Sequence, residues 1–399
     1  VGHAYALTPA TLPGSLRLRR VWWSRKRTRV ALTIFTTATL DRLDMLESQC
    51  LAYPGGPQVA AVYLPVVQDQ PGSSLTAANE AAVSSSEARV QELFERLERD
   101  PRACHPRILL LFEATADPAL AFLTPINALR NAALLAAKSP LVAMIDVDLR
   151  VSRTLVQFVQ DEARSATLVA GSARRFWVLP AWDVEHSLPP GEAEEAAQAA
   201  LAGTKVNLLQ LFLARRLIWF GQYYFQAGHV PTNYTRWLFN KGSYPINYGM
   251  GYEPWGVLQR DRQAWLPYDG RFRGCYNDKI THLITLHYAK MEFWAFPNVW
   301  VVHRPHALNA AAALGKSVPN DTARQDGVQV LQTVVTIRDR NLTKFEHHKE
   351  YSHTLMDDSI VHMLVKKYRQ HPGKQYAYCR SVLPWLASAR KQHRLKQAG

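Results

Sequence analysis

The chain has 399 residues, of which 47% are hydrophobic, enough for one large α/β domain or two modest ones and too many for an intrinsically disordered protein. A formal net charge of +14 points to an anionic partner, whether nucleic acid, membrane surface, acidic glycan or nucleotide phosphate, without choosing among them. No window reaches about 18 consecutive apolar residues and no secretory signal is evident, so no membrane-spanning helix is predicted.

Seven basic residues fall within RLRRVWWSRKRTR (17–29), and a second basic cluster, ARKQHRLKQ, occupies 389–397. Both are read as solvated, flexible ends, although Trp22 and Trp23 among the arginines also suit an RNA-binding or membrane-proximal segment. No RNP, KH, zinc-finger or basic-zipper pattern supports the nucleic-acid version. RVALTIFTT (29–37) then reads as a first buried strand, and LDRLDMLESQCLAY (40–53) carries apolar residues at helical spacing. QVAAVYLPV (58–66) is a second strand, followed by a Gly/Ser/Ala-rich loop and a charged helix near 86–99. RILLLFE (107–113) is a third strand, PINALRNAALLAAK (125–138) a helix, and Leu141 to Ile145 a fourth strand. This alternation predicts a mostly parallel sheet with helices on both faces, like the nucleotide-binding half of a doubly wound fold.

The second half is less regular. Strand material lies in 166–182, and one helix is expected over 190–217, with Pro and acids in its first turn. A second helix is expected over 277–290, with Asn277 as N-cap. FWAFPNVWVVHRPH then gives a short strand pair ending in His303 and His306, and a terminal helix is expected near 358–370. The four cysteines, Cys50, Cys104, Cys275 and Cys379, lie far apart with no C-x-x-C, so no zinc site or disulfide scaffold is indicated, while one or two disulfides stay open. Sequons begin at Asn233, Asn320 and Asn341 and bear on the protein only in a secretory lumen.

The stretch SPLVAMIDVDLRVS (139–152) runs an apolar strand into two aspartates one residue apart. Strand alternation points Asp146 and Asp148 to one face and Val147 to the other, so the two carboxylates can converge on one cation at the carboxyl end of a sheet strand, where open α/β sheets bind ligands. On spacing alone a solvated turn competes with this reading. Further ligands are sought in nucleotide phosphates and in His303 or His306, whose strand can lie beside that of Asp146; an imidazole among oxygens suits Mn²⁺. Arg130 and Asn131, one helix earlier, suit the anionic and hydrogen-bonding parts of a nucleotide, and a surface ion pair is the alternative for Arg130.

Six ordered blocks now matter together: PINALRNAA (125–133), IDVD (145–148), GHVPTNYTRW (228–237), YEPWGVLQRD (252–261), YDGRFRGCYNDKITHLITLH (268–287) and FPNVWVVHRPHA (296–307). In this order they resemble glycosyltransferase family 49, the family of the LARGE-type glucuronyltransferase domain acting on dystroglycan, from about residue 29 to 308. The resemblance implies a single GT-A catalytic domain over 29–310, flanked by a basic leader (1–28) and a partly helical C-terminal extension (311–399). It also implies a Mn²⁺-dependent enzyme that transfers a sugar, glucuronic acid first among the candidates, from a UDP-sugar to a glycan or glycoprotein acceptor with inversion. Asp146, Asp148 and His303 then match the metal ligands, and Asn127, Arg130, Asn131, Lys279 and His306 the donor site. An inverting route needs a base, for which Glu253 is the first candidate and Asp278 the second, with Asp269 third and more structural. Lys279 is read as pairing with a sugar carboxylate or as a helix-surface lysine. Departures at Thr124 and in LRVS (149–152), where Arg150 is expected to add charge beside the metal, bear on sugar and acceptor preference. The alternatives are another UDP-sugar (xylose, galactose or N-acetylglucosamine) on the same machinery, or an inactive polyanion-binding relative. A Golgi or other secretory-pathway location, with a membrane anchor upstream of Val1, is expected from the resemblance only; the oligomeric state is not legible.

Overall fold

The computed structural model describes residues 15–304, 306, 322–337 and 339–365. The amino-terminal half runs β1 (Leu16–Trp23), β2 (Leu32–Thr39), α1 (Leu43–Leu51), β3 (Pro57–Val67), α2 (Ala77–Arg99), β4 (His105–Thr115), α3 (Pro118–Phe122), α4 (Ile126–Ala136) and β5 (Leu141–Met144). Next come β6 (Leu149–Val151), α5 (Arg153–Gln160), α6 (Glu162–Gly171), β7 (Arg175–Leu179), β8 (Ala181–Val184), α7 (Pro190–Ala202), α8 (Lys205–Leu213) and β9 (Leu217–Trp219). They are followed by α9 (Tyr234–Phe239), β10 (Tyr244–Ile246), β11 (Trp255–Gln259), α10 (Arg260–Trp265), α11 (Asp278–Tyr288), β12 (Glu292–Ala295) and β13 (Val301–His303). The carboxyl-terminal part contributes α12 (Thr322–Gln332), β14 (Val334–Ile337), β15 (Arg340–Thr343) and α13 (Lys344–Val365).

Among the described residues, nine strands form one mixed sheet in the order β1-β4-β3-β2-β5-β11-β7-β12-β10. The run β4-β3-β2-β5 is parallel throughout, as the strand and helix alternation predicts. Residues 32–38 of β2 are buried without a break, as a strand covered on both faces requires. A smaller sheet has the order β6-β13-β8-β9, and among the described residues β14 pairs only with β15. The chain passes from the large sheet to the small one between β5 and β6, so residues 145–148 bridge the two sheets.

Several local expectations change in the structure. The basic run is not a loose end: β1 pairs antiparallel with β4 at the sheet edge, and Trp22 is buried. Arg19 reaches Glu80 and Glu87, and Arg20 reaches Glu87, so acids on α2 pair with two of the seven basic residues of the run. The helix containing 86–99 starts earlier, at Ala77, where the Thr76 side chain accepts from the Asn79 amide. The long helix expected over 190–217 breaks at Gly203, because Thr204 and Asn207 form a capping box that restarts it as α8; α8 stops at Leu213, and Leu217 already belongs to β9. Asn277 precedes α11 but does not cap it: it adopts a left-handed conformation (φ 58°) and its side chain turns to Ser352 and His353 of α13. The expected pair β12 and β13 is split between the two sheets.

Cys50 and Cys104 form a disulfide between the end of α1 and the start of β4, with Cα atoms 4.9 Å apart, while Cys275 is free. The terminal helix begins at Lys344, well before 358, and lies against α11, with Arg271 bonded to Asp358 and Ser359 to Asp269. Asp269 is thereby accounted for as a structural residue, since Arg271 and Ser359 occupy its carboxylate. The 389–397 cluster and the Asn320 sequon lie outside the described residues. No helix among the described residues is long and apolar enough to cross a membrane.

Candidate active site

The D-x-D is a turn, not the continuation of a strand. β5 stops at Met144, and the Leu149 amide donates to the Asp146 carbonyl (2.9 Å), closing a four-residue turn before β6. Strand alternation therefore no longer applies, and the two carboxylates have separate partners. Asp146 Oδ1 accepts from Arg130 Nη2 (3.1 Å), and its Oδ2 accepts from Lys279 Nζ (2.7 Å) and Trp255 Nε1 (3.1 Å). Burial pushes the Asp146 carboxyl up, but Lys279 and Arg130 outweigh it and hold it below the ordinary range.

Asp148 faces the other way. Its Oδ2 lies 3.1 Å from His306 Nε2, 3.9 Å from His303 Nε2 and 3.3 Å from Arg42 Nη1. The two Nε2 atoms are themselves 3.2 Å apart. One ligand atom from each of Asp148, His303 and His306 lies within 4.8 Å of the other two, and this is the only group of three or more such residues among those described. The register explains why the histidines arrive here: β13 runs antiparallel to β6, with His303 opposite Leu149, one residue after Asp148. Burial pushes the Asp148 carboxyl up, and His306, His303 and Arg42 reverse that to leave it well below the usual carboxylate range. His303 moves the opposite way. Burial alone would lower its pKa, but Asp183 and Asp148 hold it above the ordinary histidine value.

The remaining residues frame this pair. Arg130, whose side chain is 3% exposed, also donates to Asp278 Oδ2 (2.6 Å) and Asn127 Oδ1 (2.8 Å). Asn127 in turn donates to the Asp278 carbonyl, tying α4 to the start of α11. Asn131 makes a reciprocal pair with the Tyr268 backbone, accepting from its N–H (3.0 Å) and donating to its carbonyl (2.8 Å), so it holds the loop rather than facing the site. Lys279 is not a helix-surface residue: its side chain is 8% exposed, 3.2 Å from Glu253 Oε1 and 4.0 Å above the Trp255 ring. Burial, aided by the charges of Asp278 and Asp146, raises the Glu253 pKa; Lys279 opposes the shift without cancelling it. Trp255 stacks on His229, whose pKa burial and Lys279 depress to about 3, so that ring is neutral.

The structure thus brings Asp146, Asp148, His303, His306, Arg130, Asn127, Lys279, Asp278 and Glu253 into one connected site and leaves Asn131 behind it. His306, expected on the donor, stands with the metal-type ligands, and Asp146, expected among them, is occupied by two cations and an indole. Arg150 does not add charge near Asp148: its side chain turns to Glu194 of α7 (2.9 Å). Sequence reasoning missed Arg42, Asp183 and Trp255. Trp255 stood two residues after Glu253 in a quoted block and was open to notice; Arg42 and Asp183 carry no local signal, since folding alone brings them to the histidines and the D-x-D.

A nine-stranded mixed sheet is joined through the D-x-D turn to a smaller sheet, with histidines returning beside that turn, an α/β architecture in accord with the GT-A fold that the resemblance implies. Residues 31–326 match the family described as glycosyl-transferase for dystroglycan, and the chain belongs to that family. It is 28% identical over 290 residues to the xylosyl- and glucuronyltransferase LARGE2 of Homo sapiens, an alignment that covers 72% of this chain and 34% of the relative. The LARGE2 of Rattus norvegicus is 26% identical over 72% of this chain and 36% of its own length, and the LARGE1 of Danio rerio 24% over 69% and 31%. The chain therefore spans about a third of the length of the curated relatives it matches. Among solved structures, a mannosyltransferase from Pyrobaculum calidifontis in complex with GDP-Man and Mn²⁺ is similar at 11% identity and a TM-score of 0.32, covering 94% of this chain and 82% of that one.

Proposed function

We propose that this chain is a metal-dependent glycosyltransferase that moves glucuronic acid from UDP-glucuronic acid to a glycan acceptor with inversion at the transferred carbon. The observation that carries the reading is the convergence of Asp148 Oδ2, His303 Nε2 and His306 Nε2 beside the cation-rich end of the D-x-D. Two imidazole nitrogens 3.2 Å apart, both near one carboxylate oxygen, form a donor set that a shared divalent cation satisfies. Asp148, His303 and His306 would hold the ion, and a set of one oxygen and two nitrogens would suit Mn²⁺. When bound, the ion supplies Lewis-acid stabilisation of the charge that builds on the departing diphosphate.

The other roles follow from charge and reach. Arg42, 3.3 Å from Asp148, and Arg130, beside Asp146, are the guanidinium groups placed to meet phosphate oxygens or to orient the carboxylates next to them. Lys279 is the ammonium for a sugar carboxylate, which favours a uronic acid over the neutral xylose that the relatives' names also include. Glu253 is the base that takes the acceptor hydroxyl proton: burial raises its pKa, and Lys279 is the one cation paired with it among the described residues. Asp278 suits that role less, because its Oδ2 is clamped by Arg130 at 2.6 Å. The Cys50–Cys104 disulfide supports an oxidising, secretory-pathway compartment.

The test is titration of UDP and a panel of UDP-sugars against wild type and Asp148→Asn, with Mn²⁺ and with EDTA, followed by anomeric analysis of any product. UDP binding that requires both metal and Asp148, with UDP-glucuronic acid preferred, supports the reading. UDP binding indifferent to both sinks the metal assignment, and preference for UDP-xylose sinks the role given to Lys279.

A further inference from the structure

Asp183 lies outside every sequence block that points to the site, yet it is buried (3% exposed) directly behind it. A carboxylate removed from water needs partners, and Oδ1 has two and Oδ2 one. Oδ1 accepts from the Val184 amide (2.9 Å) and lies 3.1 Å from His303 Nδ1, while Oδ2 lies 3.2 Å from His186 Nε2. The fold builds this placement: β8 and β13 are parallel neighbours with Trp182 opposite Val302, so Asp183 and His303 follow side by side. Phe220 packs edge-on against the His303 ring at 5.4 Å and limits its alternatives.

An ionised carboxylate only accepts hydrogen bonds, so the His303 nitrogen facing it must carry a proton. In the neutral ring this leaves the lone pair on Nε2, the atom directed at Asp148 and His306. We infer that Asp183 is a positioning residue, which fixes His303 in the Nδ1–H tautomer and presents Nε2 to a divalent cation shared with Asp148 and His306. The inference rests on the metal reading above and adds to it a carboxylate–histidine–metal arrangement of the kind that orients ligands from behind.

The experiment is titration of Mn²⁺ by electron paramagnetic resonance on the full chain, wild type against the isosteric Asp183→Asn, without nucleotide. An amide can rotate its NH₂ toward Nδ1 and favour the wrong tautomer, so about 10- to 100-fold weaker Mn²⁺ binding is expected. Circular dichroism and the urea midpoint show whether the variant remains folded. Equal Mn²⁺ affinity in the two proteins overturns the inference while leaving the metal site intact. Failure of wild type to bind Mn²⁺ removes the metal reading and this inference with it. Should Asp183→Asn not fold, ring ¹⁵N spectra of Zn²⁺-loaded wild type decide instead, with His303 assigned by its loss in His303→Gln. Coordination through Nε2 with a protonated Nδ1 supports the inference, and coordination through Nδ1, or none, overturns it.

Discussion

Replacing Arg130 with Met tests the electrostatic frame of the site. Arg130 is almost fully buried and donates to Asp146, Asp278 and Asn127 at 3.1, 2.6 and 2.8 Å. The Met side chain fills much of the same space but strands the Asp278 carboxylate, while Asp146 keeps Lys279 and Trp255. Removing one partner of a buried pair leaves an uncompensated charge, which costs about 3–5 kcal/mol. Most of that loss falls on Asp278, so Asp278→Asn added to Arg130→Met restores roughly half of it by removing the stranded charge. Urea unfolding at neutral pH, compared at equal slope, reads both values. A loss under about 1 kcal/mol for Arg130→Met, or a further loss on adding Asp278→Asn, refutes the idea that Arg130 holds these carboxylates in place.

Four further outcomes follow from named contacts. Glu253→Gln lowers the turnover rate by about 10²- to 10⁴-fold while UDP binding is kept, and donor titration alongside steady-state rates separates the two. A base works deprotonated and the Glu253 pKa is raised, so wild-type activity is present at higher pH and falls through a limb above the ordinary glutamate value of about 4.3; that limb is missing from the residual rate of the variant. Replacing both Cys50 and Cys104 with Ala opens a loop spanning 54 positions and costs about 4 kcal/mol by chain entropy, so an unchanged urea midpoint counts against the disulfide. Gly256→Ala sets a Cβ against the Phe176 ring and 2.7 Å from the Trp177 carbonyl oxygen, costing about 1–3 kcal/mol, and the shift of adjacent Trp255 lowers transferase activity beyond the stability loss.

The parallel core was legible because it rests on local rules. β2 to β5 are apolar runs bounded by helical spacing, and a strand buried on both faces has to look that way. The blocks around Asn127, Asp146, Glu253 and His303 were legible as a set because they keep their order along the chain. Where local rules misled, a competing contact explains it. The arginines of β1 look solvated in sequence, but the acids of α2 that neutralise them stand some 60 residues away. The helix over 190–217 looks continuous because apolar spacing persists through Gly203, while Thr204 and Asn207 cap a new start.

Sequence alone determined the chemistry present at the site: two aspartates after a buried strand, two histidines after another, and an ordered family of blocks between them. Tertiary structure decided which atom meets which. The strand ended at Met144, so the chain could turn from one sheet to the other, and that turn sent Asp146 to Arg130 and Lys279 and Asp148 to the histidines. It also placed Asp183 behind His303 and Arg42 beside Asp148, through sheet register and packing across 120 and 106 positions of chain. A side chain's neighbours in a folded domain are set by strand order and register, and these depend on the burial of every other element at once.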